Sequence, residues 1–456
     1  MQGRTRLKAL KAAAVAAALS SALLISGCGR TSSGVAVPQI AQGGSGLTPS
    51  ERLNALPGER LNALPGLPTT GTLAERLNAL PGQPQQLCVT PARGSGKGGC
   101  QVQGRSDLAP KSDPNTSYAT IWGYKPDDLA SAYGIPRWLG AGRTVAIVDA
   151  FDDPNIESDL AVYRSAMMLP PCTTANGCFT KLGAGESNQG DGETVGTGAI
   201  PQADSGWSAE IALDTEMVSA ICPYCKILLV EAKSDDIKDL AAAEDIAASY
   251  SPAAISNSFY APEAQSEKHL ARSFRHPGIP ITAAAGDGGY GASFPASVPE
   301  VTAVGGTTLL PYNLDKRGWG EGVWSGTGSG CSMMMSKPSW QRDSGCRNRT
   351  IADVAMIADP RTGVAMYTSL APTGQPTGWV VGGGTSVGAP IVAAMYALAG
   401  SKDYSGPRKL WEKPKELNQV SLGSNGICLP LYLCTAMPSG YSGPAGNGTP
   451  NGLGAF

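Results

Sequence analysis

Apolar and polar residues follow two different periods through the central part of the chain. Continuous, largely apolar runs predict strands buried on both faces of a sheet. These runs are residues 144–149, 226–232, 254–259, 280–285 and 301–307. Stretches with helical spacing separate several of the runs, at residues 208–221, 237–248 and 263–275. Strands alternating with helices predict an α/β fold, a parallel sheet with helices on both faces and a ligand site at the carboxyl ends of its strands.

The first 28 residues have the composition of an export signal. Basic residues precede an apolar run at 12–25, which is too short and too close to the start to be a lasting membrane span. Residues 25–28 resemble a bacterial lipobox, in which the cysteine is lipidated and becomes the new N-terminus. Secretion with cleavage nearby is the alternative. We predict an extracytoplasmic protein, either secreted or anchored through Cys28 to the outer face of the cytoplasmic membrane.

A short repeat, Glu-Arg-Leu-Asn-Ala-Leu-Pro-Gly, follows the signal. Its copies are residues 51–58, 59–66 and 75–82. Copies this short and this few cannot bury a solenoid core, so we predict that residues 29–86 are a low-complexity tether. The alternative is that the Leu-x-x-Leu spacing docks on a partner as short helical turns. Residues 87–126 are predicted to be a short pre-domain segment, and residues 127–456 the folded domain.

The composition and net charge of the chain limit the classes of partner that it is expected to bind. The 456 residues include 59 glycines and 35 prolines, which indicates many loops and favours one large domain. A net charge of −2, from 35 basic and 37 acidic residues, gives no field that would attract nucleic acid. We therefore predict no nucleic-acid partner. We also predict that the protein is a monomer.

The cysteines predict disulfide bonds. Apart from Cys28, they fall into short-range pairs, as expected for an exported chain. The pairs are Cys88 with Cys100, Cys172 with Cys178, Cys222 with Cys225, Cys331 with Cys346, and Cys428 with Cys434. Residues 222–225 read Cys-Pro-Tyr-Cys, the dithiol motif of glutaredoxins. A helical pattern precedes this motif and a strand follows it, so the helix N-terminus that lowers a redox thiol pKa is missing. A structural disulfide is favoured over a redox dithiol, and zinc is less favoured still.

Candidate chemistry begins with a glycine-rich loop at residues 382–384, followed by Thr385 and Ser386. An apolar helical run starts near Pro390, so the Ser386 hydroxyl is predicted at a helix N-terminus, exposed and beside N–H donors. An acyl-transfer nucleophile would be placed there. The alternative is an ordinary glycine loop in which the serine caps the helix.

Carboxyl groups are the candidate partners of Ser386. Asp149 and Asp287 each end a predicted strand, whereas Glu210 and Asp214 are four residues apart on one helix face. Two adjacent carboxyls repel when both are charged, so one can keep a proton near neutral pH. The only histidines, His269 and His276, lie in charged contexts typical of the surface. The structural alternatives are a solvated helix face for Glu210 and Asp214 and a turn for Asp287.

The chain resembles the sedolisin family of serine-carboxyl peptidases over residues 127–456. The motifs that carry the resemblance are Glu210-x-x-x-Asp214, Ala-Gly-Asp287-Gly-Gly and Gly-Gly-Thr-Ser386. The resemblance implies a subtilisin-like fold in which Ser386 is the nucleophile, Glu210 its general base and Asp214 the residue that orients Glu210. Asp287, protonated, would donate to the oxyanion. Asp149 matches an aspartate of subtilisins and stays outside this catalytic set.

The sequence departs from that family in two places. We predict that the family's calcium site is lost, because Gln419 and Ser442 stand where acidic ligands are usual, so no metal or other cofactor is predicted. The predicted tether is also too short and repetitive to be the family's large propeptide, so either a partner helps this domain fold or the short segment from Cys88 suffices. We predict an endopeptidase that acts on protein or peptide substrates and favours acidic pH. The rival predictions are a catalytically degenerate binding lipoprotein and a redox protein using Cys222 and Cys225.

Overall fold

The structure is a computed structural model, and it describes residues 64–88, 95–100, 102–105, 107–185, 196–400 and 406–456. The predicted signal, Cys28 and most of the predicted tether lie outside these ranges. Within them, no helix has both the length and the apolar character needed to cross a bilayer.

The described elements are numbered here in chain order. The helices are α1 (Leu73–Asn78), α2 (Pro126–Tyr133), α3 (Ile156–Ala166), α4 (Ser205–Ile221), α5 (Ile237–Ser249), α6 (Gly388–Ala399) and α7 (Arg408–Glu412). The strands are β1 (Pro84–Gln86), β2 (Gly99–Cys100), β3 (Gln103–Arg105), β4 (Thr144–Ala150), β5 (Phe179–Ala184), β6 (Thr197–Gly198), β7 (Lys226–Ala232), β8 (Ala254–Asn257), β9 (Phe259–Pro262), β10 (Ile281–Ala284), β11 (Ser293–Phe294), β12 (Val301–Pro311), β13 (Trp319–Val323), β14 (Gly330–Ser336), β15 (Asn348–Ile351), β16 (Val354–Ile357), β17 (Val364–Thr368), β18 (Gly378–Gly383), β19 (Leu417–Asn418) and β20 (Thr449–Pro450).

A large, mainly parallel sheet forms the centre of the fold. Its strand order is β13-β12-β10-β8-β4-β7-β5-β6, and β16 pairs with β12. The pairs from β12 to β5 are parallel, whereas β13 and β6 are antiparallel edge strands. Helices α4 and α6 pack against each other and on the sheet, and α5 packs on β4 and β7. The predicted α/β class with a subtilisin-like parallel sheet is confirmed.

Helix α4 is enclosed by protein on all sides. Every residue from Gly206 to Ile221 is buried, because α6, α3 and β17 pack around the helix as well as the sheet. The carboxylate of Asp204 accepts hydrogen bonds from the N–H groups of Gly206 and Trp207 and so caps the helix start. Any ionisable side chain on α4 is therefore inside the protein and not on a solvated face.

Two smaller antiparallel sheets border the carboxyl edge of the large sheet. One has the order β1-β3-β18-β17, and the other has the order β11-β9-β2. The residues 99–105 contribute β2 to one of these sheets and β3 to the other, so this segment connects them. Strand β18 leads directly into the turn that carries Ser386.

The structure differs from the sequence predictions in two segments. Residues 263–275, predicted to be a helix, contain the short 3₁₀ segments Gln265–Glu267 and Leu270–Phe274. The third repeat, predicted to be part of a tether, forms α1 and packs on the domain. Carbon atoms of Leu73 and Leu77 lie so close to Gly320 and Gly322 of β13 that a Cβ there would approach them to 2.7 and 2.6 Å.

Candidate active site

Ser386 lies in a tight 3₁₀ turn, Thr385–Val387, immediately before α6. Gly384 has a φ of 109°, which favours glycine, and a Cβ on Gly383 would lie 2.4 Å from the Cα of Pro360. The glycines therefore let β18 bend sharply into the turn. Contrary to the prediction of an exposed hydroxyl, Ser386 is fully buried, and its Oγ makes no hydrogen bond to a described residue.

Asp287 follows strand β10 and faces the same turn. Its Oδ1 accepts hydrogen bonds from the backbone N–H and the Oγ1 of Thr385, each at 2.8 Å. The backbone N–H of Gly286 donates to the Oγ1 of Thr385 at 3.2 Å, which ties the two loops together. The structure thus brings Asp287 next to the residue that precedes Ser386.

Glu210 and Asp214 lie on α4, and α4 packs directly against the turn Thr385–Val387. Both side chains are fully buried, as is Asp149 at the carboxyl end of β4. The charges of Asp149 and Glu210 both act on the carboxyl of Asp214. Glu210 and Asp214 are therefore part of a cluster of three carboxyls that includes Asp149. The alternative that they lie on a solvated helix face is wrong.

Burial keeps protons on several of these carboxyls. The pKa of Asp214 is raised well above its ordinary value, first by burial and then by the charges of Asp149 and Glu210. Burial also raises the pKa of Asp149 to about 7. Burial raises the pKa of Asp287 to about 7 even though Thr385 and Gln103 donate to it. At acidic pH, Asp214, Asp149 and Asp287 are therefore neutral proton donors.

A segment near the N-terminus contacts these groups, and little in its local sequence predicted this. We call residues 88–105 the strap; of these, 89–94 and 101 are outside the described part. The backbone N–H of Val102 donates to Oε2 of Glu210 at 3.0 Å, and Nε2 of Gln103 donates to Oδ2 of Asp287 at 3.4 Å. The sulfurs of Cys88 and Cys100 and a carboxylate oxygen of Glu210 all lie within 4.8 Å of one another. Both sulfurs are in a disulfide bond, so this group is not a metal site.

Known proteins resemble this chain both in sequence and in structure. No protein-family model matches the chain. The chain is similar to kumamolisin of Bacillus sp. (strain MN-32), with 29% identity over 367 residues, which are 72% of this chain and 62% of kumamolisin. It is also similar to sedolisin of Pseudomonas sp. (strain 101), with 34% identity over 157 residues, which are 30% of this chain and 25% of sedolisin. The chain is a homologue of kumamolisin and sedolisin. It spans less than two thirds of the length of either relative.

Solved structures agree on the fold of this chain. A Pseudomonas sedolisin, described as a serine-carboxyl proteinase and complexed with two molecules of pseudo-iodotyrostatin, superposes with a TM-score of 0.59. The match covers 73% of this chain and 96% of that structure, at 24% identity. The fold implied by the motifs is therefore confirmed, and the sequence comparisons show homology to kumamolisin and sedolisin.

The two positions where the sedolisin resemblance implies calcium hold groups that do not fit the ion. Nε2 of Gln419 donates to the carbonyl oxygens of Val420, Met437 and Gly440, at 3.3, 3.3 and 3.2 Å. Calcium would need those oxygens as ligands, together with carboxylates. Ser442 is buried and contributes a neutral hydroxyl. An amide that donates hydrogens into a group of carbonyl oxygens fills the role of a cation there without one.

His276 and the Cys222–Cys225 pair contact other parts of the fold. His276 pairs with Asp245 at 3.3 Å and contacts the carbonyl oxygen of Ser273 at 2.8 Å, so it contacts none of the active-site carboxyls. The five predicted disulfides are all present. Cys222 and Cys225 are buried at the junction of α4 and β7, against Gly140. Their burial favours a structural bond over an accessible redox dithiol.

A small cavity opens beside Asp287. Its volume is about 230 Å³, and its walls include Tyr260, Glu263, Gly286, Tyr290 and Met333. Lys97 and Gly99 of the strap also line it.

Proposed function

We propose that this protein is an exported serine-carboxyl endopeptidase that hydrolyses peptide bonds with Ser386, Glu210, Asp214 and Asp287. The observation that carries the proposal is the position of Asp287. Its carboxyl is bonded to Thr385, which directly precedes Ser386, while the helix that carries Glu210 and Asp214 packs against the same turn. Homology to kumamolisin and sedolisin supports the same assignment.

In the proposed reaction, the Oγ of Ser386 attacks the carbonyl carbon of the substrate and its proton passes to Glu210. Glu210 then gives this proton to the leaving amine, which breaks the peptide bond and leaves an acyl-enzyme. Water then hydrolyses the acyl-enzyme. In this second step Glu210 takes a proton from the attacking water and returns one to the Oγ of Ser386 as the acid product leaves. Asp214 holds Glu210 in place by sharing its own proton, which its raised pKa allows it to keep.

Asp287 would stabilise the oxyanion. Oδ1 already accepts two hydrogen bonds from Thr385, so the proton of the neutral carboxyl belongs on Oδ2, where it can be donated to the developing negative charge. The pKa of Asp287 is raised to about 7, so this donor is lost as the pH rises through 7. Activity should therefore be favoured at acidic pH.

The test compares the parent with Ser386→Ala on a denatured protein substrate between pH 3 and pH 8. Both are assayed as purified and after treatment with a phosphine reductant, because the strap lies over the site. The proposal expects hydrolysis by the parent that falls above pH 7, and a loss of at least about a thousandfold in the variant. A profile that rises through pH 8, or equal activity in the variant, would refute it.

A non-catalytic, exported binding lipoprotein is the second candidate. The complete burial of Ser386 favours it, since a site that never opens cannot turn over substrate. The same assay distinguishes the two, because a binding protein shows no Ser386-dependent hydrolysis under any condition.

We further propose that the chain is exported and lipidated at Cys28, and that the mature protein is a monomer. Mass spectrometry of the mature N-terminus would detect a diacylated cysteine, and light scattering of detergent-extracted protein would give the mass. An unmodified N-terminus downstream of Cys28 would contradict lipidation.

A further inference from the structure

We propose that the chain has a second binding site, distinct from the proposed active site, which takes a sugar ring that bears a carboxylate. The site is a cavity of about 480 Å³ between α7 and the segment that joins β14 to β15. It has no described lining residue in common with the cavity beside Asp287. Its volume lies within the range of small-molecule sites, about 300–1,000 Å³. The described lining residues are Ser339, Trp340, Arg342, Arg408, Trp411 and Glu412.

Two tryptophans supply the apolar part of this cavity. Trp340 and Trp411 both line it and are half-buried. Their ring centroids are 6.0 Å apart, and their planes are inclined to each other by 51°. The cavity therefore has an angled aromatic wall that stays partly open to solvent.

Buried groups hold both rings in place. The guanidinium carbon of Arg349 lies over the ring of Trp340, 5.4 Å from its centroid, and Tyr441 stacks on Trp411 with centroids 4.4 Å apart. Nε1 of Trp411 donates to Oδ1 of Asp353 at 2.8 Å, and the same carboxylate is paired with Arg349. Arg349 and Asp353 are fully buried, so they connect the two rings to the core. The wall is thus preorganised, and a ligand would lose little affinity in ordering it.

Charged side chains surround the aromatic wall. Arg408 and Glu412 form an ion pair across one turn of α7, with Nε and Oε1 2.6 Å apart. Arg342 is exposed, and no carboxylate in the described part of the chain pairs with it. Two arginines against one glutamate leave the cavity with an excess of positive charge. The guanidinium of Arg342 is therefore available to an anionic ligand.

A carboxylate-bearing pyranose matches this combination of groups. One face of such a ring consists of C–H groups, which pack on the electron-rich face of an indole. Its hydroxyl groups can bond to Ser339 and Glu412 at the rim. Its carboxylate can accept two parallel N–H bonds from Arg342, whose planar fork fits that group. An extended peptide fits less well, because none of the described lining residues belongs to a strand and no backbone edge is offered to it.

The experiment measures binding by isothermal titration calorimetry at pH 5, with the full chain in a Ser386→Ala background that prevents self-digestion. Two acidic probes are each paired with a neutral analogue. A galacturonic acid trimer is compared with a galactose trimer, and the disaccharide of N-acetylglucosamine and N-acetylmuramic acid is compared with chitobiose. We expect at least one acidic probe to bind with a Kd on the order of 0.1 mM, and its neutral analogue to bind at least about tenfold more weakly.

The two acidic probes represent two sources of the same chemistry, a uronic acid polymer and a cell-wall glycan. The probe that binds more tightly identifies the source. Because the test measures binding in a variant that lacks the nucleophile, its result does not depend on whether the chain is a peptidase.

Arg342→Gln is the decisive variant, because this exposed side chain can be changed without disturbing the core. It should weaken binding of the acidic probe about tenfold. The matched control is Arg347→Gln, an exposed arginine of the same segment that does not line the cavity, and it should bind as the parent does. Trp340→Leu should also weaken binding about tenfold, since it removes one flat face of the wall. Its melting temperature shows whether the variant is folded, and the arginine pair decides the matter if it is not.

Saturation-transfer NMR tests the orientation of the sugar. Saturation of the aromatic protons should pass mainly to the ring C–H protons of the bound probe. The inference is overturned if neither acidic probe binds at concentrations up to about 5 mM, or if the neutral analogues bind equally well. It is also overturned if Arg342→Gln binds as Arg347→Gln does. A peptide ending in tryptophan that binds more tightly than either sugar would assign the cavity to a peptide terminus and overturn it as well.

Discussion

The buried carboxyls predict that the protein loses stability as the pH rises, and Asp149 is the sharpest test. Its side chain is fully buried, and neither carboxylate oxygen has a hydrogen-bond partner among the described residues. Burial raises its pKa from the ordinary value of 3.8 to about 7. Below pH 3.8 both the folded and the unfolded chain carry the proton, so the free energy of unfolding is not reduced there.

Between these two pKa values, the unfolded chain releases the proton and the folded chain keeps it. The free energy of unfolding therefore falls as the pH rises, and the loss is complete once the pH passes the folded pKa. A difference of about 3 pKa units corresponds to about 4 kcal/mol, which is an upper value because Asp214 shares the charge of this cluster. Asp149→Asn removes the ionisation and should flatten this dependence.

The assay is urea unfolding followed by tryptophan fluorescence at pH 4, 6 and 8, in a Ser386→Ala background that prevents self-digestion. Asp149→Asn should cost about 1 kcal/mol at pH 4, where its amide N–H groups lack acceptors, and should be more stable than the parent at pH 8. Glu416→Gln, at an exposed position, is the control and should follow the parent. A parent whose stability is constant or rises from pH 4 to pH 8 would refute the reasoning.

Three further predictions concern other parts of the molecule. In differential scanning fluorimetry, a chelator should leave the melting temperature unchanged, whereas removing the Cys428–Cys434 disulfide should lower it by several degrees. A large effect of the chelator would contradict the view that the Gln419 amide takes the place of a calcium ion. Asp287→Asn should reduce kcat/KM by about a hundredfold or more while thermal melting at pH 4.5 stays within a few degrees of the parent, and equal activity would exclude the oxyanion role. Gly123→Ala should cost more than about 2 kcal/mol in urea unfolding, because its φ is +97° and a Cβ would lie 2.4 Å from the N of Ala365, and a neutral result would contradict that close approach.

The motifs predicted the parts of the site that depend on local sequence. The glycines before Ser386 impose a turn, the spacing of Glu210 and Asp214 places both on one helix face, and Asp287 ends a buried strand. Each of these follows from backbone conformation within a few residues. The carboxyl ends of parallel strands meet at one edge, so the assembly of these pieces was also predictable.

The strap could not be predicted, because it depends on pairing between segments far apart in the chain. Gln103 lies opposite Gly383, and nothing in either local sequence specifies that register. The pair Cys88 and Cys100 was the available signal, since a disulfide just ahead of the domain implies an ordered segment. Residues 263–275 could not be assigned correctly for a different reason. Over so short a run, the spacing of apolar residues such as Leu270 and Phe274 fits a 3₁₀ helix as well as an α-helix.

The amide of Gln419 has a consequence for the surroundings in which this domain can remain folded. Carboxylate ligands take up protons in acid and then release a bound cation, so an ion-dependent loop weakens under the conditions that favour this chemistry. A carboxamide does not titrate in that range, and its N–H groups hold the carbonyls of Met437 and Gly440 at any acidity or salt composition. We therefore expect the fold of the C-terminal lobe to be insensitive to the calcium content of the medium, so that it would need no added ion even in soft, acidic water.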